Sequence, residues 1–203
     1  FRVTVIDKGA LASECSQSNC GYICPSHVPP LTEPGAFGVA LKSLFNRRSP
    51  FRLKPSFDPA LWYWMSHFAR RCTHEQVLSA GGHLQVILDA SMDEYTHLIT
   101  QKPLKCEWKE EGLLYVFKSN RQMDSFSKMD HLLSEHFGVS TRRLEGKELI
   151  SFDPGLRRGL AGGFHYPMDR SVRPELLNRE WVDDLKAEGV EFIQNCELQK
   201  IRH

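Results

Sequence analysis

One carboxylate stands out by its position. Phe1, Val3 and Val5 alternate with Arg2 and Thr4, Ile6 follows, and Asp7 sits at the tip. The pattern predicts a short strand over residues 1–6, stopped by the polar Asp7-Lys8-Gly9. A carboxylate at the end of such a strand can accept hydrogen bonds from ribose hydroxyls, as on the second strand of a dinucleotide-binding βαβ unit. That unit also needs a Gly-x-Gly-x-x-Gly turn whose backbone donors cradle the pyrophosphate. The chain holds no such turn. Gly81-Gly82 and the stretch Gly159–Gly163 are its Gly-rich segments, and neither has a strand-turn-helix setting. On this reading the first strand and its turn precede Phe1.

Cys15, Cys20, Cys24 and His27 form a second set. Thiolate and imidazole suit zinc. Yet no pair here has the Cys-x-x-Cys spacing, and Cys72, Cys106 and Cys196 are scattered. The expectation is small buried thiols and no metal. His27 and His165 are acid-base groups by residue type. His165 lies between Phe164 and Tyr166, where alternation does not say which face it takes.

The bulk properties exclude several classes. With 203 residues the chain is long enough for one sizeable domain or two small ones. A formal net charge of +1 gives no footprint for nucleic acid, and the pairs Arg47-Arg48, Arg70-Arg71 and Arg142-Arg143 read as solvated faces. No apolar run approaches the roughly 20 residues of a spanning helix, and the start does not read as a signal peptide. Six cysteines are too sparse for a disulfide scaffold, which favours a reducing compartment.

Periodicity supplies the elements that must hold these groups. Pro25, Pro29, Pro30, Pro34, Pro50, Pro55 and Pro59 keep residues 25–59 loop-rich, apart from a short helix over 36–45. Leu61, Trp64, Met65 and Phe68 begin a helical pattern that Leu84, Ile87, Leu88, Met92 and Tyr95 continue after Gly81-Gly82. Lys105–Lys109 and Gly112–Lys118 read as paired strands. A helix over 121–137 ends at Gly138, and Phe152–Gly155 is a turn. Gly159–Tyr166 is a Gly-rich strand closely approached by another backbone. A last helix runs from Pro174 to Glu188, and a strand comes after it over 190–193. No internal repeat is present.

The stretch beyond Asp7-Lys8 resembles a known family. Cys15-Ser16-Gln17-Ser18-Asn19-Cys20-Gly21-Tyr22-Ile23-Cys24-Pro25 is similar to the Thr-Ser-x-x-Asn-x-Gly-x-x-x-Pro of FAD-dependent oxidoreductases of the D-amino-acid dehydrogenase type, relatives of glycine oxidase and D-amino-acid oxidase. The likeness continues through Pro30, Pro34-Gly35, the tract Pro50–Pro55, Asp58–Trp64, Glu111–Leu114, Tyr166–Asp169 and Gly189–Phe192. Three positions depart from the pattern: Cys15 stands for Thr, Cys20 for Ala, and Tyr22 for Gln or Met.

The resemblance implies an α/β (α+β) fold, part of a Rossmann-like FAD-binding domain plus an antiparallel-sheet substrate domain. Residues 1–59 are then the partial FAD-binding domain, 60–166 a helical and substrate-domain segment, and 167–203 the return to the FAD-binding domain. It further implies that Asp7 binds the adenosine ribose with Lys8 beside the adenine edge. Ser16 meets the pyrophosphate or ribityl region, and Asn19 is counted with it among the cofactor-binding residues. Gly21 and Tyr22 offer backbone groups to the isoalloxazine ring, and Leu198, in a strand-like Cys196-Glu197-Leu198, holds adenine through its main chain. The implied reaction is oxidation of an amine or D-amino acid to the imine and then the keto acid. Glycine, sarcosine and other secondary amines are the further substrates, and oxygen or a membrane quinone is the acceptor. No catalytic or substrate-binding residue is assigned. The expected location is cytoplasmic, at most peripheral on a membrane. The alternative expectation is a non-catalytic fragment or interaction module that does not bind FAD alone.

Overall fold

The computed structural model describes residues 1–43 and 56–201. The tract Pro50–Pro55, the Arg47-Arg48 pair and the Phe45 end of the first expected helix lie outside the described residues. The chain forms two compact units. The first comprises Phe1–Cys24, Ser91–Leu114 and Tyr166–His203; the second comprises Pro25–Ala90 and Tyr115–His165.

In the first unit the two expected terminal strands find each other. β1 (Thr4–Ile6) pairs in parallel with β7 (Glu191–Ile193), with Val5 opposite Phe192. Parallel pairing of segments this far apart requires a crossover, and helix α6 (Pro174–Ala187) supplies it. Pro174 starts that helix where its missing N–H costs nothing, and Gly189 leaves it at φ +87°. A second ladder is antiparallel. β2 (Tyr22–Ile23) pairs with β6 (Arg170–Ser171), and Ser171 exchanges two hydrogen bonds with Lys109 on its other side. Ile23, Cys24, Cys106 and Leu177 are buried.

The expected hairpin of Lys105–Lys109 with Gly112–Lys118 does not form. Glu107 takes φ +53°, which an extended strand does not permit, and Lys109 makes a single bridge to Ser171. Cys196–Leu198 is likewise not a strand.

The second unit is organised around a sheet of order β3-β5-β4. β3 (Leu113–Phe117, whose first two residues belong to the first unit) and β4 (Arg142–Glu145) flank β5 (Gly162–Tyr166, whose last residue belongs to the first unit). Helix α1 (Ala36–Ser43) is short; α2 (Pro59–Arg71) starts at Asp58, whose Oδ1 accepts the Ala60 N–H at 2.9 Å. Helix α3 (His74–Gln101), whose residues from Ser91 on belong to the first unit, runs unbroken through Gly81-Gly82. Helix α4 (Asn120–Phe137) is capped by Ser119 and ends on left-handed Gly138, as the periodicity predicts, and α5 (Gly146–Phe152) comes directly after β4. Phe117, Phe126 and Phe164 lie 5.0–6.0 Å apart between ring centres, locking α4 onto the sheet. The expected close approach to the Gly-rich strand is real: a Cβ on Gly162 would lie 2.6 Å from the Leu144 carbonyl oxygen.

The two adjacent glycines of α3 are not equivalent. A Cβ on Gly81 would stand 2.5 Å from Cζ of Phe137, while one on Gly82 would meet nothing within 4 Å. Gly81→Ala is expected to lower stability by about 1–3 kcal/mol through overpacking. Gly82→Ala is expected to raise it by about 0.5–1 kcal/mol through helix propensity. Urea unfolding midpoints of the two variants check the contrast; equal shifts would contradict this packing.

Candidate functional site

The parallel pair fixes where Asp7 lies. The Asp7 N–H donates to Ile193 O at 3.0 Å, and the Cys196 N–H donates to Asp7 O at 2.9 Å. The ladder continues outward, with Asn195 N–H on Gly9 O at 3.0 Å and Leu11 N–H on Oε1 of Gln194 at 3.1 Å. Asp7 is therefore held at the C-terminal end of a parallel strand, where open α/β sheets bind their ligands. Its Oδ1 accepts the Gly9 N–H at 2.8 Å, which orients the half-buried carboxylate. Among the described residues the second oxygen accepts nothing, so it is available to a ligand hydroxyl. Lys8 beside it is exposed, and Leu198 lies exposed two residues beyond Cys196. The structure thus brings Asp7 and Cys196 together, with Lys8 and Leu198 in the segments that continue from them.

The loop from Cys15 to Gly21 is built by one side chain. Asn19 Nδ2 donates to Ser16 O at 2.9 Å and Cys15 O at 3.2 Å, while its Oδ1 accepts the Gly21 N–H at 2.8 Å. An amide can serve both senses at once, which explains Asn at this position. The Asn178 amide of α6 reinforces the turn by donating to Ser16 O at 2.8 Å. Asn19 is therefore consumed in shaping the loop, and the Ser16 side chain stays exposed. Gly21 is buried at φ +68°, and its carbonyl accepts the Val172 N–H at 2.8 Å. A Cβ there would fall 2.0 Å from Val172 O, so only glycine fits. Tyr22, next along, presents a half-exposed ring.

The thiols divide. Cys24 and Cys106 are buried, as expected, but Cys15 and Cys20 on the Asn19-braced loop and Cys196 beyond β7 are exposed, and Cys72 is half-buried. Among the described residues no three His, Cys, Asp or Glu side chains gather as a metal set. Burial pushes the Cys24 thiol up to about 12, helped by the charge of Asp169 and by an S–H bond to it. Asp169 is fully buried, and nothing in residues 15–27 signals it. The available signal is a lone acidic residue closing the largely apolar run Phe164–Met168. In the second unit, His27 Nε2 meets the Tyr115 hydroxyl, and buried His165 packs on Phe152 with ring centres 4.6 Å apart.

The environments predict a labelling order. With iodoacetamide at about pH 8 and native protein, Cys15, Cys20 and Cys196 are expected to react, and Cys24 and Cys106 only after unfolding. Mass mapping of the labelled peptides checks this; Cys24 labelling as fast as Cys20 would contradict the buried Cys24–Asp169 contact.

Three comparisons bear on the site. The family model described as "DAO: FAD dependent oxidoreductase" matches residues 1–203. D-amino acid dehydrogenase of Azorhizobium caulinodans is 28% identical over 204 residues, covering 98% of this chain and 49% of that protein. Glycine oxidase from Geobacillus kaustophilus shares the fold at a TM-score of 0.58 with 17% identity, over 99% of this chain and 42% of that one. L-amino acid deaminase from Proteus myxofaciens does so at 0.55, also with 17% identity, over 100% of this chain and 35% of that one. The chain spans about half the length of the curated relatives it matches.

Proposed function

Because the chain belongs to the DAO family of FAD-dependent oxidoreductases, we propose that it supplies the ribose and flavin-loop half of an FAD site in an enzyme that oxidises amino acids. The observation that carries this reading is the Asp7 carboxylate, half-buried at the end of a parallel strand with one oxygen committed to Gly9 N–H. The residues present fit the group. Asp7 accepts from the ribose hydroxyls, with Lys8 and the Leu198 main chain at the adenine. Ser16 lies toward the pyrophosphate or ribityl chain, and the Asn19-braced Gly21-Tyr22 backbone toward the isoalloxazine ring.

FAD, when bound, supplies a hydride acceptor for the substrate carbon that bears nitrogen. The chain's own residues orient and shield. Gly21 lets the loop lie against the Val172 carbonyl, which fixes the main chain before Tyr22, and the Tyr22 ring takes a place where the resembling family carries Gln or Met. The product imine hydrolyses to a keto acid and ammonia. D-amino acids lead as substrates, from the name of the Azorhizobium relative. Glycine and secondary amines such as sarcosine come next, with oxygen or a quinone as acceptor. Among the described residues no helix is long and apolar enough to cross a membrane. We place the protein in the cytoplasm, or on a membrane surface if the acceptor is a quinone.

A second reading is favoured by one observation: the 203 residues hold no Gly-x-Gly-x-x-Gly turn. Taken alone, the chain then binds FAD weakly or not at all and acts as a non-catalytic segment or interaction module. Protein extended to the length of the relatives separates the two. There, Asp7→Ala is expected to weaken FAD about tenfold by removing a charge-assisted hydrogen bond. Anaerobic D-alanine is expected to bleach the visible flavin absorbance. Unchanged FAD affinity in the variant, or a flavin that no amino acid or amine reduces, would contradict the enzyme reading.

A further inference from the structure

Two of the positions that depart from the resembling family's pattern are cysteines, and both fall on one loop. Cys15 stands where that family carries Thr, and Cys20 where it carries Ala. Both thiols are exposed. The loop gathers the two residues at its neck. The Asn19 carboxamide donates to the Cys15 carbonyl at 3.2 Å and accepts, at 2.8 Å, the N–H of Gly21, the residue that follows Cys20. Between them the Gln17 and Ser18 N–H groups both donate to Glu14 O at 3.1 Å, so the chain turns back on itself instead of running extended.

A disulfide asks for Cα atoms roughly 4.4–6.8 Å apart. Residues 13–20 are all exposed, so no packed side chain resists the small backbone adjustment that brings the two sulfurs into contact. The competing thiols are less free. The charge of Cys20 reaches Cys24, yet Cys24 is buried and its S–H is bound to Asp169. Cys106 is buried and Cys72 half-buried. Cys196 is exposed but lies beyond β7, outside the loop.

We propose that Cys15 and Cys20 are a redox-sensitive dithiol, which hydrogen peroxide converts to a disulfide across the neck of the Asn19 loop. One thiolate attacks the peroxide: an S–O bond forms, the O–O bond breaks, and the leaving hydroxide takes up a proton as water. The second thiol attacks the sulfenic sulfur: the S–S bond forms, the S–O bond breaks, and a second water leaves. Two thiols lose two electrons, and one peroxide becomes two waters. In a reducing compartment such a bond is transient and reports oxidant instead of stapling the fold. That the bond would fix the loop facing the flavin rests on the function proposed above; its formation needs neither FAD nor Asp7.

The test treats native protein, extended to the length of the relatives, with one equivalent of hydrogen peroxide. The protein is then denatured, alkylated with iodoacetamide and cut with chymotrypsin. Cleavage after Leu11 and Tyr22 leaves Cys15 and Cys20 together in the peptide Ala12–Tyr22, with Cys24 in another. That peptide is expected two hydrogens lighter than its reduced form and without alkyl groups, while Cys24, Cys106 and Cys196 are alkylated. Dithiothreitol before alkylation is expected to return both alkyl groups. Cys20→Ala, which puts back the resembling family's residue, is expected to abolish the lighter peptide. Ala12–Tyr22 joined to the Cys24 or Cys196 peptide would overturn the proposal, and so would a gain of oxygen in place of the lost hydrogens, or full alkylation of both thiols after peroxide. The mapping on the unsubstituted protein decides the matter even if the variant fails to fold, and its result is the same whether or not the protein holds flavin.

Discussion

The site depends on the parallel pairing of β1 with β7. Thr4 and Glu191 are 187 positions apart, yet their side chains hydrogen-bond and their strands run side by side. This pairing puts Asp7 at the carboxyl end of a strand. It also supplies the partners that hold the Asp7 main chain, Ile193 on one side and Cys196 on the other. The Asp7 side chain is thereby left to accept the Gly9 N–H. If the register slipped by one residue, the alternation of the strand would carry its side chains to the other face. Nothing in the Asn19 loop could restore the carboxylate.

The antiparallel ladder does the equivalent work for the loop. β6 is shared between β2 and Lys109, so Gly21 is pulled against Val172 closely enough to exclude any side chain. The loop before it needs no core of its own, because one amide satisfies three backbone groups. An exposed loop made rigid in this way suits contact with a planar ligand, since the entropy of ordering it is met before binding. The buried Cys24–Asp169 contact anchors the next residues of the same chain segment, again within the first unit.

Much of this is legible in the sequence, for reasons that differ by element. The terminal strands announce themselves by alternating β-branched residues, and α4 and α6 by their caps and spacing. Which strands pair is not written locally, so the expected neighbour of Gly112–Lys118 is wrong: Glu107 adopts a left-handed backbone and the partner is β5. The double glycine of α3 carries a breaker signal that packing overrides, because Gly81 leaves room for Phe137. At the site, Asp7 is readable as a strand tip; Gly21 is readable as a close approach to a ligand ring, whereas the approach the structure shows is to the Val172 carbonyl. Asn19 is readable only as a motif position; its role as the brace of the loop needs coordinates. The outward turn of Cys15 and Cys20, and the burial of Asp169, arise from tertiary contacts that no window of sequence contains.

We propose that the Asp7 carboxylate grips the ribose of an adenine nucleotide. A crystal structure of the protein with FAD bound tests it most directly. The account predicts an Asp7 carboxylate oxygen at about 2.7 Å from a ribose hydroxyl, with the Cys196–Leu198 main chain beside the adenine. A nucleotide bound with its ribose away from Asp7, or an Asp7 side chain turned to solvent in that complex, would contradict it.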